Sequence, residues 1–373
     1  MNIGITCYPT FGGSGVVATE LGLALAERGH EVHFICYAPP FRLDRDRPNI
    51  HYHEVEVSTY PLFRYPPYSL ALTSKMLQVI RSSELDILHV HYAIPHAISA
   101  YLARQMCGDR CVATVTTLHG TDITIVGSEE AYVDVTRFGL TQSDVVTTVS
   151  SFLRDETRRV FGECCNSARV IPNFIDPERF RPGVNGGLRA ELAPNGERVI
   201  SHMSNLRPVK RVRDIVAAFA MVRRRVPTRL VLVGDGPDLP GALELATELG
   251  VRDDVLALGR RHDASEILAA SDLYFLPTDY ESFGLSALEA LACEVPVIGA
   301  ARGGLPEVVD HGETGFLCDV GDREAMAAHA ISLLTDEERL RSFGRDGRRR
   351  AIERYSRDAI VSRYEAIYTE LRP

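Results

Sequence analysis

The sequence predicts an α/β protein made of two similar three-layer domains in tandem. Short apolar strands alternate with amphipathic helices through the first 172 residues, a segment rich in proline and glycine interrupts the pattern, and the alternation then resumes. Alternation of this kind produces a parallel sheet covered by helices on both faces. The length of 373 residues also suits two domains better than one.

The first domain is predicted over residues 1–172. Strands are expected at 2–7, 31–36, 50–57, 86–90, 112–118, 144–149 and 169–171, and helices at 15–28, 70–81, 95–106 and 151–161. The first helix has a buried-face pattern and ends before Gly29, a common helix terminator.

The second domain is predicted to begin at residue 173 and to end at 355. Residues 172–187 contain three prolines and three glycines, which indicates a boundary there. Beyond it, strands are expected at 198–203, 229–233, 254–257, 273–276 and 296–298, with helices at 211–225, 239–249, 264–270 and 284–293 and a helical tail from about 323. Ligands of such sheets bind at the carboxyl ends of the strands, so two facing domains predict one site in a cleft between them.

Composition narrows the class of protein. The net charge of −9, from 41 Lys and Arg against 50 Asp and Glu, argues against a nucleic-acid binder. No apolar run approaches the ~20 residues that cross a bilayer, and the start lacks a basic segment followed by a long apolar one. We therefore expect a cytoplasmic protein with no membrane partner. The oligomeric state stays open, with a homodimer as one candidate.

A metal site is not expected. The eight cysteines are scattered through apolar segments, so we interpret them as buried thiols; Cys107 with Cys111 and Cys164 with Cys165 do not complete a four-ligand zinc set. His89 and His91 share one face of a strand but lack a third ligand, which favours packed or hydrogen-bonded histidines. The arginine runs at 223–225 and 348–350 are interpreted as solvated helix ends.

A glycine-rich loop is the first candidate binding element. Gly12, Gly13, Ser14 and Gly15 lie between a strand and a helix, where small residues permit close backbone approach and helix N–H groups can meet phosphate or carboxylate oxygens. The spacing fits neither a dinucleotide fingerprint nor a P-loop, so a plain tight turn is an equal alternative.

The second half carries a stronger candidate. Glu281 and Glu289 stand eight residues apart where a loop meets a helix, and free N–H groups at Phe283, Gly284 and Leu285 can face an anion. Upstream, Arg207 and Lys210 follow one predicted strand and Gly234 follows the next. The two cations could neutralise a diphosphate, since Arg favours bidentate geometry and Lys is a compact charge.

Together these motifs resemble the nucleotide-sugar domain of retaining glycosyltransferases with the GT-B fold, the glycogen-synthase-like and mannosyltransferase-like family. The match covers Lys210, the Gly-Asp-Gly-Pro string at 234–237, the pair Glu281 and Glu289, and the Gly-Gly-Leu-Pro-Glu string at 303–307. The resemblance implies two Rossmann-like domains facing across a cleft, with the final helix, about 356–373, joined to the first domain. It also implies that Glu289 holds ribose hydroxyls, that Glu281 lies near the donor sugar, and that Lys210 with Arg207 contacts the diphosphate. Asn205 stands where that family usually has an arginine.

The first half resembles the branch of this family that makes the bacillithiol precursor. The strings that carry the likeness are His-Val-His-Tyr-Ala-Ile-Pro-His at 89–96 and Thr-Thr-Leu-His-Gly-Thr-Asp-Ile-Thr at 116–124. The resemblance implies transfer of N-acetylglucosamine from UDP-N-acetylglucosamine to the hydroxyl of L-malate, without cofactor or metal. It suggests Ser14, Tyr92, Thr117 and Asn205 as acceptor-binding residues and Gly13 and Ser14 as additional donor contacts. His119, Glu281, Lys210 and Arg207 are expected to act at the reacting centre.

Three other functions stay open from the residues alone. A transferase of the same fold could use another acceptor, such as a sugar chain or inositol. A UDP-N-acetylglucosamine epimerase would share the two-domain architecture and release UDP without an acceptor. A nucleotide-sugar-binding protein would show no turnover, although retention of both Glu281 and Glu289 with Lys210 argues against it.

Overall fold

The computed structural model describes residues 1–372 except 11, 58–61, 63, 109–111, 125–126 and 163–166. Cys111, Cys164 and Cys165, three of the predicted thiols, lie outside the described residues. The chain divides into two compact units. Unit 1 comprises Met1–Asn173 and Asp358–Pro373, and unit 2 comprises Phe174–Arg357. The boundary predicted from the sequence stands at 172/173, and the returning helix was placed at about 356.

Unit 1 contains a seven-stranded parallel sheet in the order β3-β2-β1-β4-β5-β6-β7. Its strands are β1 (Asn2–Thr6), β2 (Glu31–Cys36), β3 (Ile50–Glu54), β4 (Ile87–His91), β5 (Ala113–Leu118), β6 (Val145–Thr148) and β7 (Arg169–Val170). Its helices are α1 (Gly13–Glu27), α2 (Tyr68–Ser82), α3 (Ile98–Met106), α4 (Thr121–Thr124), α5 (Val133–Gln142) and α6 (Ser151–Phe161), with a helical turn at Ala93–Ala97. The central strands β1 and β4 are almost wholly buried, as strands covered on both faces must be.

Unit 2 repeats the plan with a six-stranded parallel sheet in the order β10-β9-β8-β11-β12-β13. Its strands are β8 (Arg198–Met203), β9 (Thr228–Val233), β10 (Val255–Gly259), β11 (Leu273–Leu276), β12 (Val297–Ala300) and β13 (Gly315–Cys318). Its helices are α7 (Leu188–Leu192), α8 (Val212–Arg223), α9 (Leu239–Glu248), α10 (Ala264–Ala269), α11 (Leu285–Ala292), α12 (Leu305–Val308), α13 (Arg323–Leu334) and α14 (Glu337–Tyr355). Both sheets therefore have a switch point, between β1 and β4 and between β8 and β11, where consecutive connections leave in opposite directions.

The last helix, α15 (Arg357–Leu371), belongs to unit 1 although the chain reaches it through unit 2. Ile360, Val361 and Ile367 bury its apolar side, and two tyrosines on the same helix are also buried. Two polar contacts hold its exposed side: His30 Nε2 lies 2.9 Å from Glu365 Oε1, and the Arg169 guanidinium forms an ion pair with Glu370, with Nη1 2.6 Å from Oε2. Unit 1 is thus completed by the end of the chain.

The predicted strands were all found within a few residues, but several short elements were missed. The prediction omitted α5, whose apolar pattern is broken by Gly139. This glycine packs closely against Ile98, since a Cβ there would lie 2.9 Å from Ile98 Cδ1. It also omitted β13, and it treated the tail as continuous. The tail is three helices, the second of which begins where Asp336 accepts a hydrogen bond from the backbone N–H of Arg339.

The prediction that arginines 348–350 form a solvated helix end was wrong. They lie in the middle of α14, and Arg350 is buried. Its guanidinium donates to the carbonyls of Val308 (3.1 Å) and Glu307 (2.9 Å) and pairs with Asp310. Arg350 thereby supplies hydrogen bonds to terminal carbonyls of α12, which have no partner within the helix. The sequence pattern did not indicate this role.

Candidate active site

The carboxyl edge of the first sheet brings Ser14 and Tyr92 together at the switch point. Ser14 lies in the first turn of α1, which follows β1, and Tyr92 follows β4 directly. The Ser14 hydroxyl donates to Tyr92 Oη at 3.4 Å. Two residues predicted for acceptor binding, 78 positions apart in the sequence, are therefore neighbours.

The glycines of the loop before α1 have different roles. A Cβ at Gly15 would lie 2.6 Å from the carbonyl oxygen of Tyr8 and 2.8 Å from that of Thr10, so this glycine is required by the turn itself. Gly12 and Gly13 are exposed at the start of α1, and a Cβ at Gly12 would meet only the Thr10 hydroxyl at 3.4 Å. Packing accounts for Gly15, whereas the exposed pair leaves helix-start N–H groups accessible to a ligand.

A ladder of stacked rings follows the same edge. His89 stacks on His91 with ring centroids 4.5 Å apart, His91 on His119 at 5.1 Å, and His119 on Tyr92 at 5.7 Å. His91 Nδ1 and His119 Nε2 are 2.9 Å apart and share one hydrogen bond. Burial lowers the pKa of His119 to about 3 and that of His91 well below its usual value, so both imidazoles are neutral near pH 7. His89 and His91 are packed and hydrogen-bonded, as predicted.

Asp122 anchors the loop that carries His119, a role that the sequence reading missed. Its carboxylate accepts from the backbone N–H groups of Gly120 (2.8 Å), His119 (3.2 Å) and Ala93 (3.2 Å). Burial raises the pKa of Asp122 to about 6, against the lowering effect of these hydrogen bonds. The signal was available, since Asp122 stands inside the Thr-Leu-His-Gly-Thr-Asp string.

Tyr8 is a second residue that the prediction did not single out. Its ring meets Tyr92 edge-on at 5.1 Å and lies 4.6 Å from the His96 ring. Burial raises the pKa of Tyr8 to about 12, so its phenol stays protonated. Its position directly after β1 was the only sequence signal for it.

Thr117 corrects one predicted contact. Its side chain is fully buried, and its hydroxyl lies 2.7 Å from His89 Nε2 and 2.6 Å from the Thr147 hydroxyl, with Tyr364 as a third partner. A hydroxyl offers one donor and two acceptor positions, so these partners use its full capacity. The Thr117 hydroxyl is therefore engaged inside the fold, where it holds His89, and it is not available for the contact to an acceptor that the sequence predicted.

The carboxyl edge of the second sheet brings Lys210 and Glu281 together. Lys210 follows β8 and Glu281 follows β11, the two strands that flank the switch point. Lys210 Nζ lies 2.9 Å from Glu281 Oε2, and both side chains are less than one-fifth exposed. This cation and carboxylate, 71 residues apart in the sequence, form an ion pair at this edge.

Four glycines allow the loops around this ion pair to pack against each other. A Cβ at Gly234 would lie 1.8 Å from the Ser204 carbonyl oxygen, and one at Gly236 would lie 2.1 Å from that of Asn205. Gly303 and Gly304 make corresponding approaches to the carbonyl oxygens of Glu281 (2.0 Å) and Ser282 (2.3 Å). The glycine strings in the sequence thus serve first to bring these backbones together.

The start of α11 has the predicted form. Gly284 has φ +99°, a conformation that favours glycine, and Leu285 opens the helix. Phe283 is buried and meets the Tyr355 ring at 5.5 Å, so it can offer a ligand only its backbone. Glu289 lies in the second turn and is 9% exposed.

His202 supports the loop that precedes Lys210 and was not singled out from the sequence. Its Nδ1 lies 2.8 Å from the Phe275 carbonyl oxygen and its Nε2 lies 2.7 Å from the Ser204 hydroxyl, which accepts from the Leu206 N–H. Burial lowers the pKa of His202 to about 4, and the nearby Lys210 charge acts in the same direction. Asn205 and Arg207, on the same loop, are exposed.

Within the described ranges, no group of three or more His, Cys, Asp or Glu side chains is arranged to hold a metal ion. No helix there is long and apolar enough to cross a membrane.

Comparison with known proteins gives matches in both halves. The family model for glycosyltransferase family 4 matches residues 11–179, and that for glycosyl transferases group 1 matches residues 188–350. An N-acetyl-alpha-D-glucosaminyl L-malate synthase of Bacillus anthracis is 51% identical over 372 residues, covering 100% of this chain and 97% of that protein. A GDP-mannose-dependent alpha-(1-6)-phosphatidylinositol monomannoside mannosyltransferase of Mycolicibacterium smegmatis is 31% identical over 80% of this chain and 81% of its own length.

Solved structures share the fold at low identity. Anabaena HepE in complex with UDP-glucose superposes with a TM-score of 0.85 at 21% identity, covering 99% of this chain and all of that one. A sucrose-phosphate synthase from Thermosynechococcus elongatus gives 0.82 at 23% identity, covering 100% and 99%. The predicted GT-B fold is confirmed by these likenesses.

Proposed function

Because this chain belongs to the glycosyltransferase family that includes the Bacillus anthracis L-malate synthase, we propose that it transfers N-acetylglucosamine from UDP-N-acetylglucosamine to the hydroxyl of L-malate. This is the first step of bacillithiol biosynthesis. The observation that carries the proposal is the 51% identity over the full chain. The likeness to the mannosyltransferase is lower, at 31% identity, and is weaker support for a different acceptor.

We propose that the carboxyl edge of the second sheet binds the donor. Lys210, Arg207 and the N–H groups of Phe283, Gly284 and Leu285 would hold the diphosphate. A lysine about 4 Å from a phosphate interacts at roughly 4 kcal/mol for an effective dielectric of 20, enough to outweigh distant surface charge. In support, Lys210 is held at this edge by its bond to Glu281.

The rest of the donor assignment follows from position in the loops. Glu289 would accept from the ribose hydroxyls and Glu281 would lie near the sugar. Gly234 would let the donor approach the backbone. Gly13 and Ser14 would add contacts from the start of α1.

The acceptor assignment rests on hydrogen-bond donors suited to a small dicarboxylate. Ser14, Tyr92 and Asn205 carry hydroxyl and amide donors, and α1 begins with accessible N–H groups. Thr117 would act from behind, through His89. His119, neutral and held by His91, would shape the sugar pocket and donate a hydrogen bond instead of acting as a base.

The mechanism we propose is a front-face displacement. The bond between the anomeric carbon and the β-phosphate oxygen breaks, while the malate hydroxyl forms the new bond on the same face and passes its proton to the leaving phosphate. Catalysis would then consist of positioning and charge stabilisation. Arg207 and Lys210 would supply the charge that a divalent metal supplies in other transferases, so we propose turnover without metal or cofactor.

The test is UDP release from UDP-N-acetylglucosamine with and without L-malate, in buffer with and without EDTA. We expect release that requires malate and survives EDTA. Release without malate would favour an epimerase or hydrolase, release only with another acceptor a transferase of different specificity, and tight binding without release a binding protein. Loss of turnover in EDTA would contradict the metal-free mechanism.

Location and assembly stay proposals. All five described cysteines are free thiols, a pattern typical of a reducing compartment, and we propose a cytoplasmic enzyme. A homodimer is one candidate assembly, and light scattering in solution would measure the mass of the particle.

A further inference from the structure

A chain of buried hydrogen bonds runs from the C-terminal helix to the carboxyl edge of the first sheet. Tyr368 Oη lies 2.7 Å from His89 Nδ1, and His89 Nε2 lies 2.7 Å from the Thr117 hydroxyl. Tyr364, one turn earlier on α15, hydrogen-bonds to Thr117 and Thr147. Tyr364, Tyr368, His89 and Thr117 are each at most 1% exposed.

Packing alone does not explain why Tyr364 and Tyr368 carry hydroxyl groups. Phenylalanine would fill the space of either tyrosine, and a buried hydroxyl is costly unless it is hydrogen-bonded. The two hydroxyls therefore serve to hold neighbouring polar groups in place. Those groups are His89 in β4 and Thr117 in β5, the strands whose carboxyl ends carry the site.

The proton positions along the chain can be assigned. Burial lowers the pKa of His89 to about 3, so the ring is neutral, with one donor and one acceptor nitrogen. If Nδ1 carried the proton, the Tyr368 hydroxyl would have no acceptor among the contacts seen in the described part of the chain. Tyr368 therefore donates to Nδ1, and Nε2–H donates to Thr117. This arrangement holds the His89 ring in one tautomer and one orientation.

The His89 ring begins the ladder that reaches the site. It stacks on His91, which bonds to and stacks on His119, which stacks on Tyr92, which accepts from Ser14. Thr117 is also two residues before His119 in the chain. A displacement of His89 or Thr117 is therefore passed by direct contacts to His119 and Tyr92.

We propose that Tyr368 and Tyr364 are positioning residues for the acceptor half of the reaction. Through His89 and Thr117 they fix the rings of His119 and Tyr92, so the last helix of the chain completes the acceptor site. This inference rests on the proposed function for its effect on catalysis, but the positional effect on the rings is independent of it.

The experiment compares full-length Tyr368→Phe with the wild type. We expect the KM for L-malate to rise or kcat to fall by about tenfold in total, as loss of one buried hydrogen bond implies. The affinity for UDP should not change, because Lys210, Arg207 and the N–H groups at the start of α11, which are proposed to hold the diphosphate, lie in unit 2. In ¹⁵N spectra the ring signals of His89 and His119 should both shift. A purely structural role would lower the active fraction without altering the KM for malate or the His119 signal.

The matched control is Glu370→Gln on the same helix. It removes the exposed ion pair with Arg169 and leaves the tyrosines in place, so activity and ring signals should stay unchanged. If Tyr368→Phe does not fold, Tyr364→Phe removes a partner of Thr117 and carries the same expectations. Unchanged malate kinetics together with unchanged His119 signals would overturn the proposal.

The ring signals separate this inference from the proposed function. If the wild type does not use malate at all, the proposed function fails, and the shift of His119 in Tyr368→Phe still decides the positional claim. No shift of His119 would overturn that claim whatever the acceptor is.

Discussion

Lys210 and Glu281, which we propose to act in diphosphate binding and in transfer, form one ion pair. The ammonium and the carboxylate are 2.9 Å apart. A diphosphate would compete with Glu281 for Lys210, so the carboxylate opposes UDP binding even if it assists the transfer step. The two side chains should therefore have opposite effects on UDP affinity.

Replacement of each partner tests that division. Lys210→Met should weaken UDP binding by about 10- to 100-fold, as expected when a hydrogen bond to a charged group is lost. Glu281→Gln should leave UDP affinity unchanged or tighter and reduce kcat. Isothermal titration with UDP measures the first effect and steady-state kinetics the second. Lys75→Met, the change of the only other lysine, is the control. Weaker UDP binding in Glu281→Gln would refute the competition.

At this scale the sequence indicated candidate side chains but not the contacts that each one makes. Lys210 meets Glu281 and Ser14 meets Tyr92 because each residue follows a strand at a switch point. Thr117 was misjudged because the partners of its hydroxyl come from α15 and β6, distant segments that no local pattern reveals. Asp122 stands inside a recognised string, but its role was missed because its partners are backbone groups, which the residue types do not indicate.

At the scale of elements, the glycines allow the loops at the carboxyl edge of the second sheet to pack closely against each other. Gly234 has φ +116° and no room for a side chain, since its Cβ would meet the Ser204 carbonyl oxygen at 1.8 Å. Gly250, after α9, has φ +70° with open space around it. A comparison of the two positions therefore distinguishes the cost of positive φ, which both share, from the cost of steric overlap, which only Gly234 has.

Gly234→Ala should lower the free energy of unfolding by about 3 kcal/mol or more, because positive φ and a backbone overlap both oppose alanine. Gly250→Ala should cost only about 1 kcal/mol, from positive φ alone. Urea unfolding at neutral pH measures both. Equal losses in the two variants would mean that the approach of Gly234 to Ser204 does not contribute.

Hydrophobic periodicity predicted most of the helices and strands, whereas the features that were missed depend on packing between distant segments. The buried strands were recognised as short apolar runs. In α5 the apolar pattern is interrupted by Gly139, which packs against Ile98, and β13 is only four residues long. The middle of α14 was misread because charged residues suggest solvent. Arg350 instead binds carbonyls at the end of α12.

For the molecule as a whole, the net charge of −9 does not oppose anionic substrates. Surface charges are screened beyond about 8 Å at physiological ionic strength, so nearby groups determine the local potential. The net charge still argues against a nucleic-acid surface.

Acid sensitivity is a second property of the whole molecule. His96 is fully buried, and burial lowers its pKa to about 4, whereas in the unfolded chain it is near 6.5. The unfolded chain therefore gains a proton at His96 below about pH 6.5, whereas the folded chain does so only near pH 4. The free energy of unfolding is unaffected by His96 above pH 6.5 and falls by up to about 3 kcal/mol as the pH drops toward 4. His96→Asn keeps a donor for the His91 carbonyl but has no group that titrates in this range. Its free energy of unfolding should therefore fall less between pH 7.5 and 4.5 than that of the wild type. Urea unfolding at both pH values checks this, and parallel losses would contradict it.

The most direct test of the central claim is the identity and anomeric configuration of the product. UDP-N-acetylglucosamine and L-malate are incubated with the enzyme, and the product is examined by mass spectrometry and proton NMR. The account predicts one UDP released for each N-acetylglucosaminyl malate formed, with the α configuration of the donor retained. A β-linked product, free N-acetylglucosamine as the main product, or preference for another acceptor over malate would contradict it.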